Sequence, residues 1–213
     1  WAGPAAEGDP DAQFNMGQAY RLGRGVETDV EQAEALYAKA AEQGHVKAAD
    51  NYGLLLFQRG AREEALPYIS AASMRGDPRA QYLLGIAHFN GDLVKKDWRR
   101  AYALLTLANS SGLPQARGAL AQMDQYISIE DRQAAQPLAA SLKAEAEAAR
   151  SRQLAAADLG LATDAPSGPV VTACAPETAA TRPVVLPPAT AEAPASQTAG
   201  ADYTLPAAPA PTV

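Results

Sequence analysis

The chain contains nearly the same fifteen-residue stretch twice. Residues 12–26 read AQFNMGQAYRLGRGV, and residues 80–94, 68 positions further on, read AQYLLGIAHFNGDLV. An Ala-Gln pair, two glycines and the final valine coincide in the two stretches. Self-similarity at a fixed spacing is typical of repeat proteins, in which each unit buries its apolar face against its neighbours. The repeat therefore limits the possible folds more strongly than composition does.

The repeated unit can be followed through the first 126 residues. Equivalent alanines follow one another at intervals of 36, 32 and 36 residues, and the short interval lacks four residues around the turn at 59–61. We divide the region into units 9–44, 45–76 and 77–112 and a partial unit 113–126. The recurring residues are Ala12, Gly17, Tyr20, Ala33 and Gly44; Ala48, Gly53, Ala65 and Gly76; Ala80, Gly85, Ala101 and Gly112; and Ala116.

Each unit has the pattern of two helices joined by a turn. Asp9-Pro10 and Asp77-Pro78 resemble a helix N-cap followed by a proline at the first helical position. In unit one a second helix is predicted from about residue 29 to 43, and Gly44 ends it because glycine adopts the left-handed conformation without steric cost.

Three units carry a glycine inside the first helix, at Gly17, Gly53 and Gly85. A glycine in a helix costs about 1 kcal/mol relative to alanine, so a glycine kept in register needs a compensating gain. We expect it to permit close approach of the paired helix. The small residues expected opposite are Ala33, Ala65 and Ala101.

These spacings resemble the Sel1-like repeat, whose pattern places Ala-x-x-x-x-Gly-x-x-Tyr, Gly-x-Gly-Val and Ala-x-x-x-Tyr-x-x-Ala-Ala-x-x-Gly in order. Unit one matches at Ala12, Gly17, Tyr20, Gly23, Gly25, Val26, Ala33, Tyr37, Ala40, Ala41 and Gly44. In unit three His88 replaces the tyrosine and Leu93 replaces the second turn glycine, and the turn of unit two is degenerate. The resemblance implies an all-α fold: an α/α solenoid related to the tetratricopeptide repeat, with a longer turn between its helices.

The two ends of the chain differ from the units. Residues 1–8 align with the end of a unit, so we expect the remnant of a preceding repeat. Residues 127–161 are predicted to form a C-terminal capping helix, which Pro137 should kink or begin. Residues 162–213 are rich in proline and alanine, and we expect a disordered linker there.

Composition argues against several functional classes. The net charge is −6, and we noted no cluster of Lys or Arg, so nucleic acid and anionic membranes are poor candidate partners. No apolar run approaches the roughly 20 residues that span a bilayer. The single cysteine, Cys174, argues against a cysteine-based metal site.

We find no constellation typical of an enzyme, and we expect no cofactor or metal. His45 is interpreted as a solvated turn residue and His88 as half-buried packing, since neither has a histidine or cysteine at ligand spacing. The adjacent carboxylates Glu63-Glu64 suit a solvated helix start better than an acid–base pair.

One face of the first helices carries more apolar residues than a solvated surface needs. We predict a partner-binding groove there, suited to an amphipathic helix or an extended apolar peptide. Its residues are Phe14, Gln18, Arg21, Asp50, Leu54, Phe57, Gln58, Tyr82, Ile86, Phe89 and Tyr126. Two alternatives stay open: residues 139–161 could fold back and fill the groove, or the face could be ordinary packing between repeats.

The combined interpretation is a non-catalytic scaffold that presents a concave solenoid face to a protein or peptide partner. The resemblance implies a place in the bacterial periplasm or cell envelope, where such repeats with a Pro/Ala linker often precede a SPOR domain that binds peptidoglycan. Such a domain could only follow Val213. The alternatives are a cytoplasmic signalling adaptor and, in another class, a hydrolase of cell-wall or β-lactam amides.

Overall fold

The computed structural model describes residues 1–158, and their side chains as far as residue 155. All regular secondary structure in this part is α-helical, which confirms the predicted fold class. The helices are α1 Ala2–Ala6, α2 Pro10–Leu22, α3 Val30–Glu42, α4 Val46–Gln58, α5 Arg62–Met74, α6 Pro78–Asn90, α7 Trp98–Ser110, α8 Pro114–Met123 and α9 Ile129–Asp158. The proposed linker, residues 162–213, lies outside the described residues.

The predicted helix starts are confirmed at both aspartates that precede a proline. An Asp9 Oδ1 accepts a hydrogen bond from the Ala12 N–H at 2.6 Å, and Asp77 Oδ1 accepts from the Ala80 N–H at 3.0 Å. Each bond satisfies a donor that has no partner inside the helix. The second helix of unit one ends as expected, with Gly44 in the left-handed region at φ +84°.

Successive helices pack in pairs along the chain. The pairs α2–α3, α4–α5 and α6–α7 form the units, and α3–α4, α5–α6 and α7–α8 join one unit to the next. The core runs through this stack, and each buried large side chain contributes about 1.5–3 kcal/mol of transfer free energy. The most deeply buried large side chains are Tyr37, Leu56, Ile69, Leu105 and Met123.

The interior glycines sit where the paired helices are closest. A Cβ added to Gly17 would lie 2.8 Å from Tyr37 Cε1 and 3.3 Å from the Ala33 carbonyl oxygen. The same addition at Gly85 would lie 3.0 Å from Leu105 Cγ. Because ordinary Cβ contacts are longer, the two helices can reach this separation only if the position has no side chain.

The expected alanine partners are among the nearest neighbours of the glycine in two units. A Cβ on Gly85 would lie 3.3 Å from the Ala101 carbonyl oxygen, as at Ala33 in unit one. In unit two the nearest atom to an added Cβ on Gly53 is the Cβ of Tyr68, with which it would collide. Ala65, the expected partner, is fully buried.

The long helix α9 begins at a side-chain cap. Ser128 Oγ accepts from the Asp131 N–H at 3.1 Å, and its hydroxyl donates to Asp131 Oδ2 at 3.1 Å. Arg99 Nε donates to Asp131 Oδ1 at 2.6 Å, and these hydrogen bonds hold the pKa of Asp131 below its ordinary value. Pro137 lies within the helix, so the alternative in which it begins the helix is wrong.

Helix α9 packs on α7, the second helix of unit three. Its residues Ala135 and Ala139 are buried in one cluster with Ala103 and Leu107 of α7. Further along, the buried Ala146 reaches the turn between α5 and α6. The small side chains allow close packing of α9 on α7, while much of its outer surface stays exposed.

The glycine contacts give a direct test of the packing. We expect Gly53→Ala to destabilise the protein by about 1–3 kcal/mol, because the new Cβ collides with Tyr68. Gly118→Ala is the matched control: this helical glycine has nothing within 4 Å of an added Cβ, so the change should stabilise by roughly 1 kcal/mol. Urea unfolding measures both free energies. Equal effects of the two substitutions would contradict the close-approach explanation.

Candidate partner-binding surface

The predicted groove residues fall into a buried and an accessible set. Leu54 and Tyr82 are 5% and 3% exposed, so the expectation that the whole stripe faces solvent is wrong at these two positions. In a solenoid a first helix contacts the preceding and following units, which covers more of its circumference than a single-helix pattern suggests. The other predicted residues are half-buried or exposed: Phe14, Gln18, Arg21, Asp50, Phe57, Gln58, Ile86, Phe89 and Tyr126.

Three aromatic rings lie near the ends of successive first helices. Phe57 and Phe89 are the last residues but one of α4 and α6, and Tyr126 follows α8; we call them the aromatic row. The ring centroids of Phe89 and Tyr126 are 6.4 Å apart at an interplanar angle of 60°, within the range of favourable tilted pairs. Both phenylalanines are half-buried, and Tyr126 is 46% exposed.

A charged pair borders the aromatic row. The guanidinium carbon of Arg62 lies 5.3 Å from the centre of the Phe57 ring, a cation–π distance. Arg62 Nη1 also lies 3.9 Å from Asp92 Oδ2, in the turn that follows α6. The row therefore combines apolar rings with an arginine and a carboxylate at its edge.

In unit one, the ring of Phe14 packs against the ring of His45. The two rings stack with centroids 4.6 Å apart. His45 Nδ1 accepts from the Ala48 N–H at 3.0 Å, which makes it the N-cap of α4, and Nε2 lies 3.1 Å from Asp11 Oδ1. Since Nδ1 accepts, Nε2 carries the proton and donates to Asp11. The interpretation of His45 as a solvated turn residue is wrong, because its side chain is only 12% exposed.

Asp50 belongs to an ion pair beneath the face. Arg75 donates to it from the end of α5. Burial raises the pKa of Asp50, and the charge of Arg75 opposes that rise. A cleft of about 420 Å³ lies beside the pair, and α9 contributes Arg150 and Gln153 to its wall. Asp50 is thus engaged in holding α4 to α5 rather than standing free for a partner.

Residues 139–155 pack mainly on α7, and their Arg150 and Gln153 line the cleft beside Asp50 of the predicted groove. Leu142 packs with the α7 cluster, and Leu154 is 68% exposed. Leu159 and Leu161, the other apolar residues of this alternative, lie outside the described residues. The described part of α9 thus packs mainly on α7, and Tyr126 of the aromatic row is 46% exposed.

The structure also describes a basic cluster that the sequence analysis missed. Residues 95–100 read KKDWRR and hold four basic side chains against one carboxylate. Two clefts open on them: one of about 310 Å³ beside Trp98, and one of about 430 Å³ beside Met74. Counting charge in short windows, rather than over the chain, would have found this cluster.

Among residues 1–158, no three histidine, cysteine or acidic side chains are grouped so that they could hold a metal ion. None of the helices described here is both long and apolar enough to cross a membrane. His88 is half-buried, and its Nδ1 lies 3.1 Å from the Lys95 carbonyl oxygen.

The helix–turn–helix units, the glycine contacts and the capped turns define an α/α repeat protein. The sequence model of the Sel1 repeat family matches residues 10–45 and 78–113, which are units one and three. Unit two, with its shortened turn, is not in the matched ranges. Two of the units thus match the Sel1 repeat, as the resemblance indicated. Sel1 repeats generally mediate protein–protein interactions and are typically non-catalytic scaffolds.

Three relatives extend the comparison. An uncharacterized protein of Neisseria meningitidis serogroup B is 27% identical over 122 residues, which cover 57% of this chain and 26% of that protein. A Sel1 repeat protein from Oxalobacter formigenes has a TM-score of 0.45 at 30% identity, covering 55% of this chain and 50% of its own. A protective antigen of uropathogenic Escherichia coli with an SLR fold has a TM-score of 0.48 at 22% identity, covering 70% of this chain and 41% of its own. The chain thus spans only about a quarter of its curated relative.

Two variants separate the contribution of His45 as the N-cap of α4 from the contribution of its ring stacking on Phe14. His45→Ala loses both, whereas His45→Asn loses the ring but keeps an acceptor for the Ala48 N–H. We expect the alanine variant to be less stable than the asparagine variant by about 1 kcal/mol, the usual contribution of an N-cap. Chemical denaturation of the two variants measures the difference, and equal stability would show that the cap contributes nothing.

Proposed function

We propose that the protein is a non-catalytic scaffold and that its protein partner docks on the aromatic row. The observation that carries the proposal is the position of Phe57 and Phe89 near the ends of two successive first helices, with Tyr126 after the next first helix and 46% exposed. Aromatic and arginine side chains dominate the binding energy of protein interfaces, and the row supplies both. The repeat family supports an interaction role in general, and we assign that role to the row.

The form of the row favours an elongated partner segment. Its rings are spaced one repeat apart along the stack, so a partner must contact several units to use them all. An amphipathic helix or an extended apolar peptide can do so, placing apolar side chains against the rings. Arg62 and Asp92 at the border can then bind polar groups of the same segment.

The proposal predicts a selective loss of partner binding. We expect Phe57→Ser/Phe89→Ser to lose the proteins that wild type captures from an extract of the source cells, read by mass spectrometry. The matched control is Ile129→Ser/Leu154→Ser, since these residues are 65% and 68% exposed and lie on α9. Removing exposed apolar side chains there should leave capture unchanged.

Thermal unfolding of each variant decides how a loss is interpreted. A partner lost only from the row variant, with its unfolding temperature near that of wild type, supports docking on the row. Equal capture by both variants, or an unfolding temperature lowered by roughly 10 °C or more in the row variant, would assign the rings to packing between repeats instead.

We further propose that the scaffold acts in the bacterial cell envelope. The resemblance of the repeat array and its Pro/Ala-rich continuation to envelope proteins supports this location, and a SPOR domain beyond Val213 belongs to the same proposal. The alternative is a cytoplasmic adaptor.

The location can be tested on the full-length native protein. A β-lactamase fused to it protects cells from ampicillin only when exported. We expect protection, and the same β-lactamase expressed without an export signal or fusion partner serves as the unexported control. No protection from an expressed full-length fusion would favour the cytoplasmic adaptor.

A further inference from the structure

Units one and three carry the two long turns of the stack. Seven residues separate α2 from α3, and seven separate α6 from α7, whereas three separate α4 from α5. We call residues 27–31 the acidic turn and residues 95–100 the basic turn. They occupy equivalent places, 68 residues apart, and flank a unit whose own turn is short.

The two turns have the same backbone. Asp29 and Asp97 cap α3 and α7 with φ, ψ of −143°, 102° and −149°, 98°. Each cap accepts from the N–H three residues on at 2.9 Å. Their own N–H groups donate to the Tyr20 and His88 carbonyl oxygens at 3.0 and 2.9 Å. The local geometry is therefore repeated, and only the side chains differ.

Two pairs of equivalent side chains in these turns are opposite in charge. Glu27 stands where Lys95 does, and Glu31 stands where Arg99 does. The acidic turn carries a formal charge of −3 and the basic turn one of +3, and the net charge of the chain is −6. Lys95, Lys96 and Arg100 form no ion pair with other described residues, and Glu27 and Glu31 form none either.

Each turn also presents an apolar side chain at the same position. Val30 is 50% exposed and Trp98 is 37% exposed. Beside the basic turn, the cleft of about 430 Å³ is lined by Met74, Leu84 and Val94 together with its lysines and Arg100. An acidic segment with one apolar residue in its middle fits this lining, and the acidic turn is such a segment.

We propose that two copies of this chain associate through these turns, the acidic turn of each copy binding the basic turn of the other. Both contacts form together when a two-fold axis passes near unit two, which makes the interface isologous and closed. The short turn of unit two leaves room for the paired long turns on either side. This inference is independent of the aromatic row.

A second copy fits the basic turn better than a polyanion does. Outside residues 95–100 the chain carries −9, which repels a nucleic acid or an anionic membrane over a distance. Between two copies the same repulsion exists, but salt at about 0.1 M limits it to about 10 Å, while the paired turns interact at contact. The dimer is therefore expected to be weak and to depend on salt.

Charge reversal tests the pairing on the whole chain. The acidic-turn variant is Glu27→Lys/Glu31→Lys, and the basic-turn variant is Lys95→Glu/Lys96→Glu. Sedimentation equilibrium of wild type at about 0.1 M salt should show a dimer that dissociates at about 1 M salt, where the screening length is about 3 Å. Each variant alone should raise the dissociation constant by about tenfold or more. An equimolar mixture of the two should form a heterodimer, because the turns that pair in it carry opposite net charges.

The control variant Glu7→Lys/Glu42→Lys makes the same change in net charge as the acidic-turn variant, but at exposed sites outside the turns. It should dimerise like wild type. The proposal would be overturned if wild type stayed monomeric up to a protein concentration of about 1 mM. The binding free energy would then be weaker than about −4 kcal/mol. A dimer unaffected by the turn variants, or variants that fail to associate with each other, would overturn it as well. Circular dichroism confirms that each variant is folded.

Discussion

The close contact between the two helices of a unit is the constraint on which the rest of the structure depends. Gly17 and Gly85 let the second helix approach until Tyr37 and Leu105 fill the space that a side chain would need. Gly53 does the same against Tyr68. Because the helices of each unit are held at this distance, each second helix can also pack on the first helix of the next unit.

The same repeated scaffold supports two surfaces with different physical character. The aromatic row offers half-buried rings and suits a partner recognised mainly by burial of apolar surface. The acidic and basic turns offer opposite charges on one backbone geometry and suit a partner recognised by electrostatic complementarity. A repeat protein can vary the side chains of one unit without changing its neighbours, since each unit contacts only those beside it. The reversal of charge between units one and three is an instance of this freedom.

Sequence reasoning succeeded where a local rule acts. The caps at Asp9 and Asp77 and the end of the helix at Gly44 depend only on nearby residues, and the structure has them as predicted. The groove was harder, because the exposure of Leu54 and Tyr82 depends on how the next unit covers the helix. His45 was misread for a similar reason: its ring position follows from Phe14, in a different helix.

The sequence by itself determined the repeat, the helices and their ends, since period, capping residues and glycines act within one unit. It also contained the charge reversal between the two long turns. The tertiary structure alone decided which side chains of the first helices remain accessible and that α9 packs mainly on α7. Those outcomes depend on contacts between units, whose geometry is set by helix packing over the whole stack and not by any single helical pattern.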